Sequence, residues 1–199
     1  MILRVRRAGL LVLVLAVSTA ACGTPMAGRA IPEARPIIES PAGEHTKAPP
    51  VPRPLDAEKY VNDPCASLTA TQQAEFNVTS SRVNSDGKGS GCIWNVGDGS
   101  TSPGVSYLTS VETGLSNLYA LNDTGWWDRG YFEPTEVDGY PAVYVDLADL
   151  RAQGDCGLAV ALSDRLFFDV SIRTTKDNDA CLGAKNVAEA ILQTIKEGA

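Results

Sequence analysis

The chain has 199 residues, a formal charge of −7, five cysteines and a single histidine. That acidity makes nucleic acid and anionic lipid headgroups poor partners, because like charges repel before any specific contact forms. The one histidine, His45, lies among prolines, so histidine-based triads and the common catalytic zinc sites are excluded from the folded part.

In chain order, Arg4, Arg6 and Arg7 come first, then an apolar run from Ala8 to Val17, then small residues. These are the three parts of a secretory signal. The run is about half the ~20 residues that a membrane-spanning helix needs. Two cleavage readings compete. Thr19, Ala20 and Ala21 form an ordinary small-residue site, which would leave Cys22 as a plain residue. Alternatively, Ala20-Ala21-Cys22-Gly23 resembles the lipobox of bacterial lipoproteins, in which the cysteine thiol is acylated and becomes the first residue. Thr19 departs from the aliphatic residue common there. Cysteine arithmetic favours the lipobox, since an odd thiol in an exported chain wants an explanation and acylating Cys22 leaves four that can pair. The expectation is a signal peptide over residues 1–21 and a protein held at the outer face of the cell membrane by acyl chains such as palmitate. One chain contributes only ~0.8 kcal/mol per buried CH₂, whereas two or three hold stably. Loss of the three arginines takes the mature charge to about −10.

Residues 22–54 hold eight of the twelve prolines. Proline fixes φ and removes donors, and few apolar residues here offset the cost of ordering. The segment reads as an extended spacer reaching up to ~3.1 Å per residue; a proline motif for a partner is the other reading. His45 is a solvated spacer residue.

The remaining residues, 55–199, make one domain long enough to bury its own core. Thr69 caps a short helix through Phe76, with Gln72 completing a capping box. Ser80 to Gly91 is polar and glycine-rich, and reads as a loop. Cys92–Val96 is a strand, Gly97–Gly104 a turn, and Val105–Val111 a further strand. Leu115, Leu118, Tyr119 and Asn122 share a face at helical spacing. Tyr131–Val137 and Tyr140–Leu147 flank Asp138-Gly139, a tight-hairpin signal. Cys156–Leu162 and Leu166–Arg173 are two more strands. From Ala180 to Lys196 an apolar stripe of Ala184, Val187, Ala188, Ile191, Leu192 and Ile195 predicts an amphipathic helix. The fold class is α+β: a largely antiparallel sheet of five to six strands, an N-terminal helical segment, and a C-terminal helix packed on one face.

Asp63-Pro64-Cys65 with Leu68-Thr69, Cys92-x-Trp94, Val137-Asp138-Gly139-Tyr140-Pro141-Ala142 and the late cysteine pair together resemble the DUF3558 family. The resemblance implies an exported actinobacterial lipoprotein of unassigned function and supplies no catalytic residues. Four cysteines allow three pairings. Cys65–Cys92 and Cys156–Cys181 are favoured because each pins a helical segment to a nearby strand, closing a loop worth about 3 kcal/mol. Structural zinc needs close-spaced cysteine pairs, which are missing, so no metal and no cofactor are expected. Trp94 shares a strand face with Cys92 and reads as core.

Gly87-Lys88-Gly89-Ser90-Gly91 lacks phosphate-loop spacing. Asp177-Asn178-Asp179 lacks the rest of a calcium loop, and reads as a turn with Asp179 capping the last helix. Glu133, Glu136 and Asp146 are the nearest candidates for a carboxylate pair, although solvated charges explain them more simply. Trp126 and Trp127 are adjacent and cannot easily share one core. One of them, with Tyr131 or Phe132, lines a groove for a lipid, glycan or partner peptide; burial of both under a loop is the plainer reading. Three functional readings follow: a non-catalytic binding or accessory module of the envelope, a carboxylate-dependent hydrolase of wall glycans, or a spacer without a ligand.

Overall fold

The computed structural model describes residues 47–85 and 89–198. The signal segment, Cys22, His45 and the proline-rich residues through Thr46 lie outside the described residues, as do Gly87 and Lys88.

Seven strands form one sheet: β1 (Val78–Val83), β2 (Ser90–Val96), β3 (Ser102–Tyr107), β4 (Tyr131–Val137), β5 (Tyr140–Asp146), β6 (Asp155–Ala161) and β7 (Phe167–Arg173). Their order is β1-β2-β3-β7-β6-β5-β4, and every neighbouring pair is antiparallel. Two meanders, β1–β3 and β4–β7, are therefore joined where β3 pairs with β7.

The α+β class is as expected, but the sheet is larger than the five to six strands read from the sequence. The added strand is β1, lying where Ser80–Gly91 reads as a loop. β1 sits at the sheet edge and is exposed at five of its six positions, so no apolar alternation marks it. Its backbone pairing, such as Ser81 with Trp94 and Arg82 with Ile93, makes the strand. β3 also starts earlier than expected and stops at Tyr107. Pro103 is tolerated because the pairing of β2 with β3 begins only at Gly104, so the missing N–H breaks no rung there.

Local chemistry sets the other elements. Asp138 (φ 49°) and Gly139 (φ 80°) give the two left-handed residues of a tight β4–β5 turn. Helices α1 (Glu58–Asn62) and α2 (Ala70–Glu75) flank a 3₁₀ turn at Pro64–Ser67. On α2 the Gln72 N–H donates to Thr69 Oγ1 (3.2 Å) and the Thr69 N–H to Gln72 Oε1 (2.8 Å), the expected reciprocal cap. Helix α3 (Ser116–Asp123) lies in the β3–β4 connection. Helix α4 (Ala180–Gly198) starts where Asp179 Oδ1 accepts from the Leu182 N–H (2.9 Å), and it buries the whole predicted apolar stripe.

One sheet face carries Trp94, Tyr107, Phe168, Val170 and Ile172 into the main core beneath α4. The disulfides are the two favoured pairings. Cys65 joins the 3₁₀ turn to β2 at Cys92, and Cys156 on β6 joins α4 at Cys181, with Cα–Cα distances of 5.0 and 5.2 Å. Residues before Leu55 also lie along the domain. Val51 packs on it, Arg53 accepts from the Tyr140 hydroxyl (3.1 Å), and the Ala48 N–H donates to Ser116 Oγ (3.3 Å). Among the described residues, no helix is long and apolar enough to cross a membrane.

Candidate binding site

The second face of the sheet is only half covered. Leu115, just before α3, and Leu118 and Tyr119 of α3 pack on Val143 and Val145 of β5, Ala159 and Ala161 of β6, and Phe167 of β7. Where this cover ends, a cleft of about 360 Å³ opens over β3, β7 and β6. That volume falls within the range of small-molecule sites.

Strand register builds its floor. Ser106 and Asp169 stand in one row across β3 and β7, and Ser171 and Gly157 in the next across β7 and β6. Small side chains on this face leave the space that large ones fill on the other. Leu108, Leu118, Trp127, Phe167, Val145 and Leu147 form apolar walls, with Asn84 and Asp146 at the margin. Trp127 is held in place by its Nε1–H, which donates to the Leu118 carbonyl (3.2 Å).

Gly157 is the residue that lets one wall come so close. β5 pairs with β6 only over Ala142–Tyr144, and beyond that the Gly157 N–H donates to the Tyr131 hydroxyl (2.9 Å). A Cβ at position 157 would meet the Val145 carbonyl at 2.5 Å, so any other residue would push β5 away. With glycine there, Asp146 reaches the cleft, and its Oδ2 lies 3.8 Å from that Cβ position.

Asp169 stands in the floor at the centre of β7. It is half-buried and has no hydrogen-bond or ion-pair partner among the described residues. Burial, with a smaller contribution from the Asp146 charge, pushes its carboxyl up to about 7. Asp146 is exposed, and its Oδ1 accepts from the Leu147 N–H (2.7 Å). Among the described residues, none that lines the cleft is basic. Arg82 and Arg173 lie in an adjoining depression on this face, where Arg173 Nε meets Asp155 Oδ1 at 3.1 Å.

The aromatic residues singled out from the sequence part company. Trp127 lines the cleft, whereas Trp126 points to solvent with 56% of its surface exposed. Phe132 lies behind the wall, edge-on to Tyr119 at 5.0 Å. Tyr131 is not in the cleft: it is buried in the core on the α4 side, its ring beneath the Arg151 guanidinium (4.2 Å), and burial raises its phenol. Of the three acids, only Asp146 borders the cleft. Glu133 is bridged by Arg151 (2.9 Å), and Glu136 is exposed on β4. Asp169, Ser106, Ser171 and Gly157 were missed. The available signal was an acid flanked by Phe168 and Val170 in an alternating strand, where a half-buried face should carry an ordinary polar residue.

The sequence matches the family described as a protein of unknown function, DUF3558, over residues 17–194. The chain belongs to the DUF3558 family. No curated protein and no solved structure matches it. The DUF3558 match spans all seven strands, so the whole cleft lies within the family region. It starts at Val17, and so also takes in Thr19 to Cys22.

Proposed function

We propose that this DUF3558 protein is an exported lipoprotein, acylated at Cys22 and held on the outer face of the cell membrane, whose domain is a non-catalytic binding module of the envelope. The carrying observation is the cleft on the second sheet face. It is an aromatic-walled space on the less covered face of the sheet, with one carboxylate that has no partner among the described residues. Several features support the anchor: the lipobox-like Ala20-Ala21-Cys22-Gly23, the two disulfides suited to an oxidising compartment, and the even cysteine count once Cys22 is set apart. Mass spectrometry of the mature N-terminus tests it. Acyl chains on Cys22, and release of a Cys22→Ala variant into the medium, are the expected results; an unmodified Cys22 contradicts the anchor.

A second reading, a wall-glycan hydrolase, is favoured by one observation: Asp169 and Asp146 border the same cleft, and Asp169 holds its proton near neutrality as a general acid would. The binding reading is preferred because only Asp169 lies in the floor, while Asp146 is exposed and engaged with the Leu147 N–H. Release of soluble sugars from purified wall, abolished in both Asp169→Asn and Asp146→Asn, would reverse that preference.

A further inference from the structure

We propose that the cleft takes a small organic cation, an amine carried on an apolar group, with its ammonium against the Asp169 carboxylate and its apolar part against Trp127 and Leu108. The inference rests on the binding-module reading and names the ligand class for that cleft.

Charge complementarity is the first argument. Among the described residues, two carboxylates and no basic side chain line the cleft, and Asp169 has no partner there. An anion would be repelled. A neutral glycan hydroxyl would leave both charges uncompensated in a partly desolvated site. A hard divalent cation wants six or more oxygen ligands, and walls of leucine, valine, phenylalanine and tryptophan do not supply them. An ammonium needs one or two carboxylates, and it gains further from the face of an aromatic ring.

Shape is the second argument. The floor of serine and glycine admits a flat or linear body, and about 360 Å³ suits a small amine rather than a polymer. Trp127 is fixed through Leu118 rather than free to collapse into the space.

Binding is then linked to protons. The groups facing Asp169 are Ser106 on β3, Ala159 and Gly157 on β6, Val145 and Asp146 on β5, and Leu118 and Trp127 of the connection; Asp146 alone among them is an acid. Arg82, Asp155 and Arg173 lie further along the same face. With its carboxyl at about 7, Asp169 is largely protonated at pH 6 and largely ionised at pH 8. An ammonium binds the ionised form, so affinity rises with pH up to about 7 and levels off above it. An alkylamine keeps its charge to about pH 10.

Titration calorimetry of the full domain with 4-phenylbutylamine and its neutral counterpart 4-phenylbutanol tests the proposal. The amine should bind at least tenfold more tightly than the alcohol at pH 8, and about tenfold more weakly at pH 6 than at pH 8. Asp169→Asn should lose at least tenfold for the amine with an unchanged far-ultraviolet spectrum. In wild type at pH 7, heats measured in two buffers of different ionisation enthalpy should show net proton release, a readout that needs no variant. Equal binding of amine and alcohol, indifferent to pH and to Asp169→Asn, overturns the ligand class. If Ser171→Leu still abolishes that binding, the cleft reading survives. Lack of binding by either probe overturns the ligand class as well; a photo-crosslinker at Leu147, on the exposed wall of the cleft, that also captures nothing on cells takes the module reading with it.

Discussion

Two faces of one strand carry different tasks in this domain. On β7, Phe168, Val170 and Ile172 point into the core under α4, while Phe167, Asp169, Ser171 and Arg173 point to the other side. The first set alternates large and apolar; the second holds an acid, a serine and an arginine beyond a single phenylalanine. The helix-covered face also holds both disulfides, the fully buried Trp94, and the buried Ser67–Tyr107 hydroxyl pair at 2.7 Å. The partly covered face holds the small residues and the unpartnered acid. The larger buried core and both disulfides lie on one side of the sheet, and the open cleft lies on the other.

Substitutions on neighbouring residues separate those roles. The largest loss should come from Phe168→Ala, at about 3–5 kcal/mol in urea unfolding, because a fully buried ring is replaced by a cavity. Converting Cys156 and Cys181 together to serine should cost about 3 kcal/mol through the 25-residue separation it frees. A loss below 1 kcal/mol from either change would mean that the α4 side does not dominate stability.

Asp169→Asn, one residue from Phe168, should act in the opposite direction and depend on pH. The carboxyl is raised in the fold, so the folded state favours the proton; its effect on stability is neutral near pH 4, turns unfavourable as pH rises to about 7, and stays constant above. Thermal melts should show Asp169→Asn equal to wild type at pH 4 and several degrees higher at pH 8. A variant that is less stable at pH 8 would mean that the acid is structural. The smallest effects should come from Trp126→Ala and Ser171→Leu, each within about 0.5 kcal/mol, since both side chains are exposed. Trp126→Ala should also leave amine binding unchanged, whereas Ser171→Leu should block it.

What the sequence made legible follows the same division. The α4 stripe, the Asp138-Gly139 turn, the Thr69–Gln72 cap and the cysteine pairing could be read because each depends on local spacing or on strong apolar patterning. β1 could not, since an edge strand exposed at nearly every position draws its order from β2 and carries no pattern of its own. The cleft was half legible. Adjacent tryptophans pointed to the right connection, and Trp127 does line the space. Apart from Asp169, its floor is made of glycine and serine, whose contribution is room rather than chemistry, and it exists only because register aligns β3, β7 and β6. Tyr131 illustrates the limit of aromatic clustering as a guide. It neighbours Phe132 in sequence, but strand alternation sends it to the opposite core.

The central claim, that the face bearing Asp169 is the one that meets a ligand, is tested most directly by photo-crosslinking on living cells. A leucine-like photoreactive residue would replace Leu147, an exposed wall residue of the cleft, in one strain and Glu189, on the outer side of α4, in another. The account predicts a discrete mass increment on the protein from position 147, absent from position 189 and lost with Asp169→Asn in the same chain. Identical adducts from both positions, or an increment from 189 alone, would contradict it.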